Sequence, residues 1–445
     1  MDFLVEPTNS LKGEIELPGD KSISHRAIIC ASIAYGTSRI KGFLESEDCL
    51  STMKAFQEMG VKITRQGSSL VIEGKGLNGL KKPKKPLNMG NSGTSMRLIA
   101  GVLASQGFDS VLTGDKSLNR RPMKRITDPL NNFGCSIETK KDGTPPLKIF
   151  GVDQVSTINY EIPIASAQVK SCLMFAALYA NGTSSIQERN QTRDHTERMF
   201  KKFGIPINIL QTDLITTISI NPPKQLSPCN IEVCSDFSSA SFFILAALIL
   251  PNSHLVIKNV GINKTRIGFL KAIREMGGYI DIKNLKDKFE PTADIVVKTS
   301  KLKGISLDPE SVSNVIDELP VLFIAAALAK GTTSIRGAEE LRYKESDRLE
   351  SMANSLDSFG VNFDLHHDGI DIVGLNQSSS ASISYLPFNK AEIDSSGDHR
   401  IAMASAIGAL RSQGPCRIRN CENVATSFPA FLDFSSQLGL SIKAV

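Results

Sequence analysis

Lys21, Ser22 and Arg26 lie in the segment PGDKSISHR, where an apolar run begins. Pro18-Gly19-Asp20 delivers the chain to a helix start, and Ser22 is the expected cap. Lys21 then sits just outside the helix and Arg26 about one turn in, so both cations can face one anion. Gly90-Asn91-Ser92-Gly93-Thr94 opens a second apolar run, and its two glycines let backbone amides approach a phosphate or carboxylate. Arg120-Arg121-Pro122-Met123-Lys124-Arg125 places four bases in six residues directly after the strand-like residues 111–113. Sites of α/β proteins commonly form at such strand ends. Ser166, Gln168 and Lys170 begin a third run, and Arg193-Asp194-His195 follows its strand. A hydroxyl, an amide and an arginine suit recognition of substrate hydroxyls and phosphate.

Two carboxylates stand among these cations. Asp317-Glu318 precedes the nearly unbroken apolar residues 319–328, and the ion-rich RYKESDR follows at 342–348. There Lys344 and Arg348 are expected at i,i+4 on one helix face with Glu345 beside them. A carboxylate pressed against an apolar helix near cations can act as a general base. Asp398-His399-Arg400 starts the last helix. Each segment alone also fits a plain helix cap, an exposed loop or a salt-bridged surface. Together, Lys21, Arg26, Arg121, Arg193, Lys344, Arg348 and Arg400 are cations at equivalent places, with Asp317 and Glu345 among them. Small substrates with several negative charges suit such a set.

The equivalence comes from a repeated segment. SIAYGTSRI, VLASQGFDSVL, AALYANGTSSI, AALILPNSHLVI, AAALAKGTTSI and IGALRSQGPCRI turn at Gly36, Gly107, Gly182, Asn252, Gly331 and Gly414, at spacings of 71, 75, 70, 79 and 83 residues. Each copy reads as an apolar helix, a turn and a strand. A second helix follows each, ending at Gly60, Gly134, Gly204, Gly277, Gly360 or Gly439, where glycine supplies the left-handed conformation that stops a helix. In the first copy the helix is expected over residues 24–34, a strand over 38–43, a helix over 49–59 and strands near 61–64 and 70–73. The reactive residues sit at the starts of the six first helices or after their strands. Six convergent N-termini would sum to roughly +3 of partial charge as an upper limit. The period and strand content indicate α/β architecture. Unit six stops after 440–444, and the N-terminal strand is expected to complete it. One domain then comprises residues 1–18 plus 235–445 and the other residues 19–234, with hinge crossovers near 19–20 and 235–236. Unit four, DFSSASFF, offers no cation and is assigned to the hinge.

Composition narrows the classes. The net charge of +5 over 445 residues is too small to argue for nucleic acid, and 6% aromatics without tryptophan disfavours base stacking. The run Lys81-Lys82-Pro83-Lys84-Lys85 fits a solvated loop. No apolar stretch approaches membrane-span length. The early acids and proline do not fit a signal peptide, so a cytoplasmic protein with eight reduced cysteines is expected. Cysteine and histidine spacings match no metal motif, so no metal or cofactor is expected.

LPGDKSISHR, GNSGTSMR, RRPMKR, ASAQVKS, RDHTER, LRYKESDR and GDHRIAMA, in that order, closely resemble the 5-enolpyruvylshikimate-3-phosphate synthase family over essentially the whole chain. The resemblance implies a two-domain inside-out α/β barrel of six βαβαββ units, three per domain. It implies transfer of the enolpyruvyl group of phosphoenolpyruvate to shikimate-3-phosphate with release of phosphate, in a monomer that needs no metal. By motif, Lys21, Ser22, Arg26, Ser166, Gln168, Arg193, Asp317 and Lys344 would hold shikimate-3-phosphate. Lys21, Gly93, Arg121, Gln168, Arg348 and Arg400 would hold phosphoenolpyruvate. Asp317 would take the proton of the attacking hydroxyl, and Glu345, with Lys21, would exchange the proton at the methylene carbon. Thr426 replaces a lysine of one common form of the family, Leu98 replaces a proline, and ASAQVKS replaces a two-serine motif. These departures resemble the family's second sequence class. Gly93 leaves room for glyphosate as an inhibitor.

Three other readings compete. A UDP-N-acetylglucosamine enolpyruvyl transferase would share fold and chemistry but uses a loop cysteine, and residues 109–126 contain none. A non-catalytic anion-binding protein on the same scaffold would keep the bases without needing Asp317 and Glu345. An RNA-end-processing enzyme of related repeats would fit poorly with so few aromatics.

Overall fold

The apolar runs that open the repeated segments fold as helices with almost no exposed face. Phe237–Ile249 is buried at all 13 positions and Leu319–Ala327 at all 9. A helix apolar on every side belongs in a core, not at a surface. The computed structural model describes residues 1–213, 215–375 and 385–445. It divides into two units, Met1–Pro18 with Cys234–Val445, and Gly19–Val233. Cys234 falls in the first unit and not at the end of the second, because its sulfur packs against Gly261 while Ser235 bridges to Val260.

In the first unit, Phe237–Ile249, Leu319–Ala327 and His399–Ala409 pack on one another. Phe243 meets Phe428, Phe431 and Phe434 at centroid distances of 6.0, 6.0 and 6.5 Å. In the second, Lys21–Ile33, Gly93–Leu103 and Ala167–Ala177 take the corresponding places. Gly101 allows the last two to touch, since a Cβ there would lie 2.2 Å from the Cys172 carbonyl oxygen.

The described residues form six small sheets, and their pairing order repeats. A strand after the first helix pairs parallel with a lead strand and antiparallel with the last strand, which pairs antiparallel with the strand after the second helix. Tyr35–Lys41 shows the pattern, flanked by Asn230–Glu232 and Ser69–Lys75, with Lys62–Gln66 outermost. Two lead strands are exchanged along the chain. Lys12–Glu16 precedes the helix at Lys21 but pairs with His254–Gly261. Asn230–Glu232 precedes the helix at Phe237 but pairs with Tyr35–Lys41. Phe3–Val5 lies between Cys416–Arg419 and Ile442–Ala444. One lead strand is reduced to isolated bridges, Lys303 to Lys330 and Ser306 to Ser334.

The second helix of the first repeat runs Glu47–Glu58 and its strand Tyr35–Lys41, a few residues from the expected bounds. All six glycines expected to stop the second helices have φ between 73° and 91°. Among the described residues, no helix is long and apolar enough to cross a membrane.

Candidate active site

In the Gly19–Val233 unit the first helix starts at Lys21, two residues earlier than a Ser22 cap implies. Asp20, not Ser22, is its cap: the Ile23 N–H donates to Asp20 Oδ1 (2.9 Å), and Lys21 is already helical. An aspartate two residues before Ser22 takes the first-turn amide of Ile23, which leaves Ser22 inside the helix. Lys21 Nζ lies 3.0 Å from Asp48 Oδ2 on the neighbouring helix. Arg26 is buried, donating to Thr196 Oγ1 (2.6 Å), Ser171 Oγ (2.7 Å) and the Ser22 carbonyl (3.0 Å). Burial lowers its pKa to about 10, which leaves it charged at neutral pH.

Ser92 caps the helix that begins with Gly93. A Cβ on Gly93 would come within 2.8 Å of Arg97 Nη1 and 3.0 Å of Arg121 Nη1, so the missing side chain leaves room beside two guanidinium groups. Arg121 alone of the four clustered bases is buried, and it donates to Asn91 Oδ1 (2.6 Å). Arg97 holds Gln168 by its amide oxygen (2.8 Å), while the Gln168 amide donates to Thr94 Oγ1 (3.0 Å). Ser166 caps the helix carrying Gln168. Arg193 is half-buried in the stretch before the helix His195–Lys202. The structure thus brings together Gly93, Arg121 and Gln168, and separately ties Arg26 to the helix that follows Arg193.

In the other unit, one guanidinium gathers the acids. Arg348 is 1% exposed; its Nε donates to Asp398 Oδ2 (2.8 Å), Nη1 to Asp317 Oδ1 (3.3 Å) and Nη2 to Glu345 Oε2. Burial opposes its charge, but Asp398, Glu345 and Asp317 outweigh that and raise its pKa. Arg400 donates to the Asp317 carbonyl (2.8 Å) and lies 3.6 Å from Asp317 Oδ2. Asp398 is fully buried and caps its helix through the Arg400 N–H. Asp317 and Glu345 keep side-chain exposures of 16% and 20%, so both remain open to a ligand. The expected i,i+4 face of Lys344 and Arg348 is not present. The helix begins at Arg348 behind the cap Asp347, and Lys344 has left a short 3-10 turn in extended conformation, paired with Glu340 at 3.0 Å. Asp347 prefers a cap to a helix interior, which breaks the run the spacing implied.

The six first-helix N-termini are not six equal anion sites. Asp20, Asp236 and Asp398 cap three of them with buried carboxylates, which take up amides and offset the dipole. Ser92 and Ser166 cap with neutral hydroxyls, leaving the helices of Gly93 and Gln168 better suited to an added anion. The roughly +3 expected of six termini is therefore too large.

Other participants had little sequence signal. Unit four, assigned no cation, has Arg266 buried beside its helix start, donating to Ser238 Oγ (2.8 Å). The Ser238 hydroxyl in turn donates to Glu318. Arg266 lies five residues past the strand ending at Gly261, as Arg193 lies five past the strand ending at Glu188, and that shared offset could have found it. Thr426 is buried and donates to the Asn423 carbonyl (2.6 Å). All eight cysteines are free thiols, and burial raises the pKa of Cys229 to about 11 and of Cys135 to about 12. Among the described residues no group of three or more His, Cys, Asp or Glu side chains could hold a metal ion.

Core helices and six small sheets define a mixed α/β fold shared with solved structures. The enolpyruvyl transferase NikO from Streptomyces tendae matches over 99% of this chain and 98% of its own at a TM-score of 0.78, with 15% identity, a likeness of fold alone. The EPSP synthase (3-phosphoshikimate 1-carboxyvinyltransferase) family model matches residues 5–434, and the chain belongs to that family. It is 47% identical to the 3-phosphoshikimate 1-carboxyvinyltransferase of Hydrogenovibrio crunogenus, over 100% of this chain and 99% of the relative. EPSP synthase from Acinetobacter baumannii superposes with a TM-score of 0.86 at 45% identity, over 99% of each chain.

Proposed function

We propose that this chain transfers the enolpyruvyl group of phosphoenolpyruvate to the 5-hydroxyl of shikimate-3-phosphate and releases phosphate. The family match over residues 5–434 carries that assignment. The buried Arg348 cluster supports the chemistry, because it holds Asp317 and Glu345 together with part of each side chain still accessible.

Protonation of the phosphoenolpyruvate methylene carbon creates an oxocarbenium-like centre, which Glu345 stabilises after giving up the proton, with Lys21 assisting. The 5-hydroxyl adds to that centre as Asp317 takes its proton. Phosphate then leaves the tetrahedral intermediate, and loss of a methyl proton to the Glu345 carboxylate restores the double bond. Arg121, Arg348 and Arg400, with Lys21, Gly93 and Gln168, are assigned to phosphoenolpyruvate; preorganised cations stabilise the leaving group. Lys21, Ser22, Arg26, Ser166, Gln168, Arg193, Asp317 and Lys344 are assigned to shikimate-3-phosphate. No metal or cofactor takes part in this scheme.

The repeating sheet order supports six βαβαββ units, three in each of two inside-out α/β barrels. The crossovers near 19–20 and 235–236 are assigned to a hinge that closes on substrate and excludes water. A monomeric cytoplasmic enzyme is part of the same proposal, and the eight free thiols support a reducing compartment. Glyphosate inhibition is supported by the missing side chain at Gly93, where a Cβ would crowd the Arg97 and Arg121 guanidinium groups.

The test is phosphate release. It is expected only when shikimate-3-phosphate and phosphoenolpyruvate are supplied together, and release with UDP-N-acetylglucosamine in place of the former would overturn the assignment.

A further inference from the structure

Arg193 lies in residues 189–194, which join the strand Ser184–Glu188 to the helix His195–Lys202 without regular structure of their own. A connecting stretch of this kind would ordinarily be mobile. Here both of its flanks reach into the interior. Thr192 is 4% exposed, and one buried ion pair takes all three of its polar groups. Its N–H donates to Glu188 Oε1 (3.1 Å), its hydroxyl donates to Glu188 Oε2 (2.6 Å), and its carbonyl accepts from Lys170 Nζ (3.3 Å). Lys170 lies 2.8 Å from Glu188 and 2.7 Å from Glu197, and has no exposed surface. On the far flank, Thr196 accepts from Arg26 Nε (2.6 Å) and lies 2.7 Å from Ser171 Oγ.

A buried ion cluster adds little net stability, because desolvation cancels most of its Coulombic gain. What it supplies is geometry, through short bonds in fixed directions. We propose that Lys170, Glu188 and Thr192 are positioning residues for Arg193: the buried pair grips Thr192 and so fixes where the next residue's guanidinium meets the phosphorylated substrate. This rests on Arg193 holding shikimate-3-phosphate, as assigned above.

Thr192→Val removes the hydroxyl at nearly unchanged volume and keeps the backbone bonds. It should raise both the KM and the calorimetric Kd for shikimate-3-phosphate by roughly five- to tenfold, the scale of one ordinary hydrogen bond. The KM for phosphoenolpyruvate and kcat should stay near wild type, and Thr192→Ser should restore the affinity. In an Arg193→Ala background, Thr192→Val should add nothing further, since both changes act through one group. If Arg193→Ala weakens shikimate-3-phosphate binding while Thr192→Val does not, positioning fails and the substrate assignment of Arg193 stands. If Arg193→Ala has no effect, both fail. Equal weakening for both substrates, or an undiminished Thr192→Val effect beside Arg193→Ala, would mark a general structural role and overturn the proposal.

Discussion

Lys170 and Arg348 are both cations with almost no exposed surface, and each is ringed by carboxylates. The partners of Lys170, Glu188 and Glu197, are as buried as the lysine itself. Those of Arg348 divide: Asp398 is fully buried, while Asp317 and Glu345 keep one side toward solvent. In the closed cluster every charge is spent on holding backbone and side chains. In the open one the buried half anchors the guanidinium, and the guanidinium holds the exposed half toward solvent. Solvent access of the carboxylates, not the presence of buried charge, separates a structural cluster from one that can do chemistry.

The sharpest way to break this comparison is to remove each cation. Arg348→Met should abolish turnover and also destabilise the fold by about 3–5 kcal/mol, since Asp398 would be left buried and unpaired. Lys170→Met should cost about 3 kcal/mol, at the low end of the range for a broken buried pair. Burial already raises the pKa of Glu197, more than Lys170 lowers it, so that acid can take up a proton. The folded fraction of Lys170→Met should keep a kcat near wild type. Urea denaturation read beside phosphate release separates the two effects, and equal loss of kcat in both variants would erase the distinction.

Asp317→Asn should lower kcat by about 10²–10⁴, the range of general-base catalysis, with an unchanged melting temperature. Turnover near wild type would remove Asp317 from the reaction.

The smallest expected effect concerns His25, a buried group outside both clusters. Its Nδ1 lies 2.8 Å from Thr52 Oγ1, and Thr52 lies 2.6 Å from Ser95 Oγ, which donates to Ser92 Oγ at the helix start of Gly93. Burial, then Lys21 and Arg26, hold its pKa well below the ordinary histidine value. A depressed folded-state pKa means that the unfolded chain takes the proton first. Stability is therefore whole above pH ~6.5 and lost as pH falls below it, by up to about 1.4 kcal/mol per unit. His25→Gln should flatten that part of the stability profile between pH 6.5 and 5. An unchanged slope would show that His25 does not set it.

The residues named from the sequence were legible because they sit where an apolar run starts or a strand ends, and both signals are local. Asp317, Glu345, Arg348 and Arg400 stood out in this way, although their convergence on one guanidinium did not. Asp20 was passed over as a cap because Ser22 is equally good by type, and only the backbone path chooses between them. The helical face expected of Lys344 and Arg348 failed because Asp347 caps the helix between them. Arg266 escaped notice because its partner Ser238 is 28 residues away in sequence, and the Glu318 that Ser238 bonds in turn is 80 residues from that serine.

By itself the sequence determined the helices, the strands and the stops between them, because apolar periodicity, caps and left-handed glycines act within a few residues. Its ordered motifs also determined the family. Only the tertiary structure decided which charges are partnered and which face solvent. That depends on burial and on contacts between segments far apart in the chain, such as Arg26 with Thr196 or Arg348 with Asp398. The same residue type is enclosed at Glu188 and Glu197 and part-exposed at Glu345, because burial and partner geometry differ between the two clusters.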